Sequence, residues 1–163
     1  MITKASAVIE AQEIRHRNRQ RKWDKRFLEL AKSVSAWSKD PSTKCGAVIV
    51  RPDRMVASLG YNGFPKGIDD TEELLNDREK KYARMVHCEM NAILSAREPL
   101  TGYTLYCWPF MTCDRCAVHV IQAGLIRVVA PVIPEDKKSR WKEILEAAEN
   151  LYVEAGVEYV YVE

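Results

Sequence analysis

The sequence predicts one three-layer α/β domain, a five-stranded mixed sheet with a β-hairpin on its N-terminal side and helices packed against it. Three observations carry this. After residue 44, short runs rich in β-branched and aromatic residues alternate with helical patterns, which is how crossover units of a mostly parallel sheet read. Two apolar runs flank Pro52-Asp53 and read as an antiparallel hairpin. A chain of 163 residues, 47% apolar and 29% charged, is long enough to bury one full core.

Residues 1–19 show no clear amphipathic period and lead into the basic run Arg15-His16-Arg17-Asn18-Arg19-Gln20-Arg21-Lys22. They read as a solvated, basic N-terminal arm ahead of a domain spanning 20–163. Trp23, Phe27, Leu30, Ala31, Val34 and Trp37 recur at spacings of three and four, predicting a helix over 22–38 that Asp40-Pro41 stops. Residues 45–50 and 54–59 form the hairpin strands, with Cys45 packing as a small hydrophobe. Gly60-Tyr61-Asn62-Gly63-Phe64-Pro65-Lys66-Gly67 reads as a shaped loop, because glycine and proline punctuate it. Residues 69–81 are polar, with a helix start between Asp77 and Lys81. A helix over roughly 88–97 follows, then a strand at 104–108, where Thr, Tyr and Trp favour a pleated surface. Residues 113–123 form a helix ended by Gly124, and 127–130 a strand stopped by Pro131. Ser139 is placed as N-cap of a helix to about 154, striped by Trp141, Ile144, Leu145, Ala148, Leu151 and Tyr152, and 157–162 alternates as the last strand.

Several classes fall away. Charges are scattered through residues 1–25, so no signal-peptide core forms there, and no apolar run can cross a bilayer. Five cysteines with a single Cys-x-x-Cys and no export signal favour a reducing cytoplasm and metal binding over disulfides. The formal net charge of +2 leaves both polyanions and small anions open as partners.

The chemistry concentrates between His87 and Cys116. His87, Cys113 and Cys116 offer one imidazole and two thiols, three ligands that leave the fourth position of a tetrahedral Zn²⁺ open to water. Glu89 is not needed as a ligand and is available to carry the water's proton. A Cys-x-x-Cys alone also fits a redox pair, and a lone histidine at a helix start is more often structural. Both halves together, each at the start of a helix, match the zinc-deaminase signature His-x-Glu with Pro-Cys-x-x-Cys, except that Thr112 stands where the signature has proline. His119 and Cys107 are read as packing. Tyr61, Phe64, Trp108 and Phe110 are candidates for stacking on a base.

The chain resembles the deoxycytidylate (dCMP) deaminases of the cytidine deaminase superfamily. The resemblance rests on Ser38–Ile49, Gly60–Pro65, His87–Ile93 and Cys113–Ala117 running on to Gly124, in that order. It implies a cytidine-deaminase-like fold, Zn²⁺ on His87, Cys113 and Cys116, and Glu89 as the proton shuttle. Asn62 is expected to hydrogen-bond substrate, with Trp108 near the base. For the phosphate the candidates are Lys44, Arg115, Lys66, Arg84 and Arg140. The implied reaction is deamination of dCMP to dUMP, with ammonia released. Alternatives are another cytosine nucleotide, a base within tRNA or single-stranded DNA, or a non-catalytic zinc module. The implied partners are a small nucleotide, a deoxynucleoside triphosphate effector near residues 60–67 and further copies of the chain in a dimer or hexamer, with neither nucleic acid nor membrane expected. Cys88 departs from the alanine usual in the family, and the Trp108–Thr112 loop is one residue longer than in many relatives.

Overall fold

The computed structural model describes residues 4–133 and 135–163, without the side chains of residues 4, 5, 7 and 135–140. Helix α1 (Lys4–Ser35) precedes strands β1 (Gly46–Val50) and β2 (Val56–Tyr61) and two short helices, α2 (Glu72–Asn76) and α3 (Arg78–Arg84). Then come α4 (Cys88–Ser95), β3 (Thr104–Trp108), α5 (Asp114–Gln122), β4 (Arg127–Pro131), α6 (Glu135–Ala155) and β5 (Glu158–Val162). The sheet order is β2-β1-β3-β4-β5, with β1 antiparallel to both β2 and β3, and β3, β4 and β5 parallel. The predicted five-stranded mixed sheet and its hairpin are both present.

The sheet has two buried faces. Val48, Val50, Tyr106 and Val129 meet Phe27, Leu28, Ala31 and Val34 of α1. Ala47, Ile49, Leu105, Cys107, Val128 and Ala130 face the opposite way, onto Cys88 and Ala92 of α4, Ala117 and Val120 of α5, and Leu145, Ala148 and Tyr152 of α6. The alternation along β1 and β3 follows the period of two in a pleated strand. Among the described residues no helix is long and apolar enough to cross a membrane.

Three boundaries and one buried face differ from the sequence reading. Helix α1 starts at Lys4, not near residue 22, because Glu, Gln, Ala and Arg from 10 to 21 are good helix formers with no breaker among them. Its buried face also differs: Leu30 and Trp37 are exposed, while Leu28, Ser35 and the charged Asp24 are buried. Strand β2 runs on through Gly60 to Tyr61 instead of stopping at 59. Gly60 permits this, since a Cβ there would lie 2.4 Å from Ala92 N and 2.5 Å from Cys88 O, both backbone atoms of α4. Helix α6 begins at Glu135, so Ser139 lies inside it and is not its N-cap.

Asp24 explains why a charge faces the core. Its carboxylate is 1% exposed and accepts from both terminal nitrogens of Arg127 at 2.8 and 3.0 Å, from Tyr106 Oη at 2.9 Å and from Gln20 Nε2 at 3.0 Å. A two-pronged guanidinium–carboxylate pair of this kind ties α1 to β3 and β4. Asp24→Ala strands Arg127, and denaturant unfolding should show a loss of about 3 kcal/mol. Tyr106→Phe should cost only about 1 kcal/mol, because the ion pair survives it.

Candidate functional site

Two helix N-termini bring the chemical groups together. His87 is the N-cap of α4 and Cys113 the N-cap of α5, and neither uses its side chain to cap. The imidazole and the thiol are therefore free to face each other. His87 Nδ1 lies 3.5 Å from Cys113 Sγ and 3.4 Å from Cys116 Sγ, and all three ligand atoms lie within 4.8 Å of one another. Nitrogen and sulfur donors on a tetrahedral zinc are separated by about 3.6 Å, given bond lengths of ~2.05 and ~2.3 Å. The donor types and their spacing fit that ion. His119 is exposed, bonds the Arg115 carbonyl through Nδ1 at 2.7 Å and stands outside the group, so it is neither a ligand nor the packing residue expected.

Glu89 occupies the first turn of α4 and is 6% exposed. Its carboxyl lines a cavity of about 140 Å³ that His87 and Cys113 also line. Burial pushes the Glu89 carboxyl up from the usual carboxylate range. The hydrogen bond from Cys116 draws the Cys113 thiol down to about 4, with His87 acting in the same direction, while Cys116 is pushed up and keeps its proton. His87 rises to about 9 through its hydrogen bond with Cys113. Of the three groups only Cys113 is in the form that ligates a metal without losing a proton; a metal held here would displace the protons of Cys116 and His87.

One wall of the cavity is a buried polar network. Asn62 Oδ1 accepts from Cys45 N at 2.7 Å, and Nδ2 donates to Thr43 O at 2.9 Å and to Asp40 Oδ2 at 3.4 Å. Both N–H groups of the amide are thus committed to the loop at 40–45. Lys81, 4% exposed, donates from Nζ to Asp40 Oδ1 at 3.0 Å and to Ser42 Oγ at 2.7 Å. The opposite wall is apolar: Trp108, Phe110 and Met111 lie beside Trp141, Ile144 and Leu145 of α6, with the Phe110 and Trp141 ring centroids 5.7 Å apart. The Trp108–Pro109 peptide is cis. Thr112, where the deaminase pattern has proline, is fully buried and hydrogen-bonded to the Tyr152 hydroxyl, which ties the loop after β3 to α6.

Most of the expected site residues meet here, and some do not. His87, Glu89, Cys113, Asn62 and Trp108 line the cavity, and Cys116 adjoins it. Lys44 and Arg115 are exposed and do not line it, nor do Lys66, Arg84, Tyr61 or Phe64. Arg115 sits in the first turn of α5 with its side chain turned to solvent, so proximity in sequence to two ligand cysteines did not bring it to the cavity. The side chain of Arg140 lies outside the described residues. Lys81 was missed by the sequence reading. It belongs to α3, in a stretch whose helices are five and seven residues long, and nothing in the local pattern separates it from exposed Lys80.

A three-layer sandwich with a His/Cys/Cys group and a buried glutamate at two helix N-termini defines the class of cytidine-deaminase-like proteins. The chain belongs to the cytidine and deoxycytidylate deaminase family, whose zinc-binding region model matches residues 21–132. It is 42% identical to the uncharacterized deaminase in the luxG 3' region of Aliivibrio fischeri, over 86% of this chain and 94% of that one. It is 34% identical to mouse deoxycytidylate deaminase, over 84% of this chain and 78% of that one. The dCMP deaminase of cyanophage S-TIM5, solved with dCMP and dUMP, shares the fold at a TM-score of 0.65 and 21% identity, covering 85% and 95% of the two chains.

The Asp40–Lys81 pair gives a test of the cavity wall. Lys81→Met leaves Asp40 buried without its counter-charge and should lower stability by about 3 kcal/mol in urea unfolding. Adding Asp40→Asn to Lys81→Met should recover more than half of that loss, since the stranded charge is gone.

Proposed function

We propose that the protein is a zinc-dependent hydrolase that deaminates dCMP to dUMP and releases ammonia. The observation that carries this is the meeting of His87, Cys113 and Cys116 with the buried carboxyl of Glu89 at one cavity, in a chain of this family. The names of the mouse and cyanophage relatives support dCMP as the substrate.

His87 Nδ1 and the two Sγ atoms would hold the ion, which when bound supplies a Lewis acid that acidifies water at its remaining position. Glu89 takes the proton from the water that attacks C4 of the cytosine ring and delivers it to N3. It then takes the second proton from the new C4 hydroxyl and passes it to the amino group, which leaves as ammonia, and the water oxygen remains as the new carbonyl. Burial favours a carboxyl that holds a proton between these transfers. The apolar side, from Trp108 to Leu145, suits the faces of a pyrimidine and keeps bulk water out. Asn62 acts chiefly by holding the loop at 40–45 as a wall, and Lys81 with Ser42 offers charged and neutral donors for a nucleotide phosphate. The effector and the homo-oligomer implied by the family resemblance belong to this reading as well. The loop at 60–67 pairs with the segment entering α4 through Gly63 and Val86, at 3.1 and 2.9 Å, which gives an effector there a direct connection to His87.

Purified protein should carry about one zinc per chain, and stripping the metal with a chelator should abolish ammonia release from dCMP until zinc is returned. Glu89→Gln should retain the metal while turnover falls by about 10²-fold or more, measured as ammonia released from dCMP. Near-parental turnover in Glu89→Gln would remove the glutamate from the mechanism.

A further inference from the structure

Glu89 is held by an unusual neighbour. Its Oε2 lies 3.2 Å from Sγ of Cys88, the residue immediately before it, and both side chains are buried, Cys88 at 3% and Glu89 at 6% exposed. Among the described residues this is the one side-chain hydrogen bond made by the carboxyl. The other oxygen has no side-chain partner there, and the carboxyl stands at the lining of the cavity.

A glutamate at the start of a helix has three rotatable bonds, and burial alone does not select one arrangement among its rotamers. A proton carrier must keep its oxygens within hydrogen-bond reach of successive partners. A donor on one oxygen restricts the rotamers open to the carboxyl and leaves the second oxygen available to the cavity that Glu89 lines. A thiol suits this role at this position. It is small enough to be buried beneath α4 in the apolar cluster that holds Ala47, Ile49 and Cys107, and its S–H is a donor. Alanine, which offers no donor, would leave the carboxyl without a side-chain partner.

We infer that Cys88 is a positioning residue of this active site: its S–H donates to Glu89 Oε2 and fixes the carboxyl in the orientation that transfers protons. The inference rests on Glu89 being the proton shuttle of a dCMP deaminase, as proposed above.

The test compares zinc-loaded parent, Cys88→Ala, Cys88→Ser and Glu89→Gln proteins, using ammonia release from dCMP and the infrared S–H stretch. Removing the donor should lower kcat about tenfold while KM and zinc content hold, a loss equal to one hydrogen bond to a charged group. Cys88→Ser replaces S–H with O–H at the same place and should restore kcat to within about threefold of the parent, which simple cavity filling would not do. The S–H band that disappears in Cys88→Ser should shift in frequency in Glu89→Gln, because its acceptor has changed from a carboxylate to an amide. This band reads the contact without turnover. Equal kcat in Cys88→Ala and parent overturns the inference, as does an equal fall in Cys88→Ala and Cys88→Ser. An S–H band that ignores Glu89→Gln overturns it too. A Glu89→Gln protein with parental turnover would instead mean that the deaminase reading had failed, whatever the Cys88 variants do.

Discussion

Helix α4 lies directly against β2, and the rest of the site depends on that contact. Gly60 supplies no Cβ, so the backbones of strand and helix approach to a distance that any other residue would prevent. Two polar bonds then fix the register: Ser58 Oγ donates to the Ala92 carbonyl at 2.6 Å, and Asn91 Nδ2 donates to the Tyr61 carbonyl at 2.7 Å. Because β2 is paired through β1 to β3, this seat sets the start of α4 relative to the loop that follows β3. That loop enters α5. His87 thereby meets Cys113 and Cys116 across 26 and 29 residues of chain.

The two faces of the sheet use buried charge differently. On the α1 side, Asp24 and Arg127 form a network with Tyr106 and Gln20, and it orients one helix on two strands. On the cavity side, Asp40 and Lys81 are also buried, but their partners Ser42 and Asn62 belong to a wall that a small molecule can touch. A buried pair of this kind adds little net stability over apolar packing, and its value lies in specifying geometry. Glu89 is the exception, a buried carboxyl facing a cavity with a thiol as its one side-chain partner among the described residues. A group placed so is costly for the fold and useful for proton transfer.

Much of this was legible in the sequence where local pattern and tertiary role agree. The hairpin, the three later strands and helices α4 and α5 follow from β-branched runs, helical periodicity and the glycine after α5. The pairing of His87-x-Glu89 with Cys113-x-x-Cys116 pointed to the site because ligand spacing is itself a local pattern. What stayed hidden depended on contacts across the fold. Asp24 made the buried face of α1 look polar until Arg127, 103 residues away, was beside it. Gly60 looked like the start of a loop because its role is to admit a helix that comes later. Lys81 looked like any surface lysine, and only Asp40 and Ser42 from a distant loop show why it is buried.

The account turns on three side chains holding zinc with one position left open beside Glu89. Zinc K-edge X-ray absorption on the purified protein measures that arrangement directly. It should show two sulfur scatterers at about 2.3 Å and two lighter scatterers, nitrogen and oxygen, at about 2.0–2.1 Å. A shell of four protein ligands with no place for water, or zinc bound without sulfur, would contradict it.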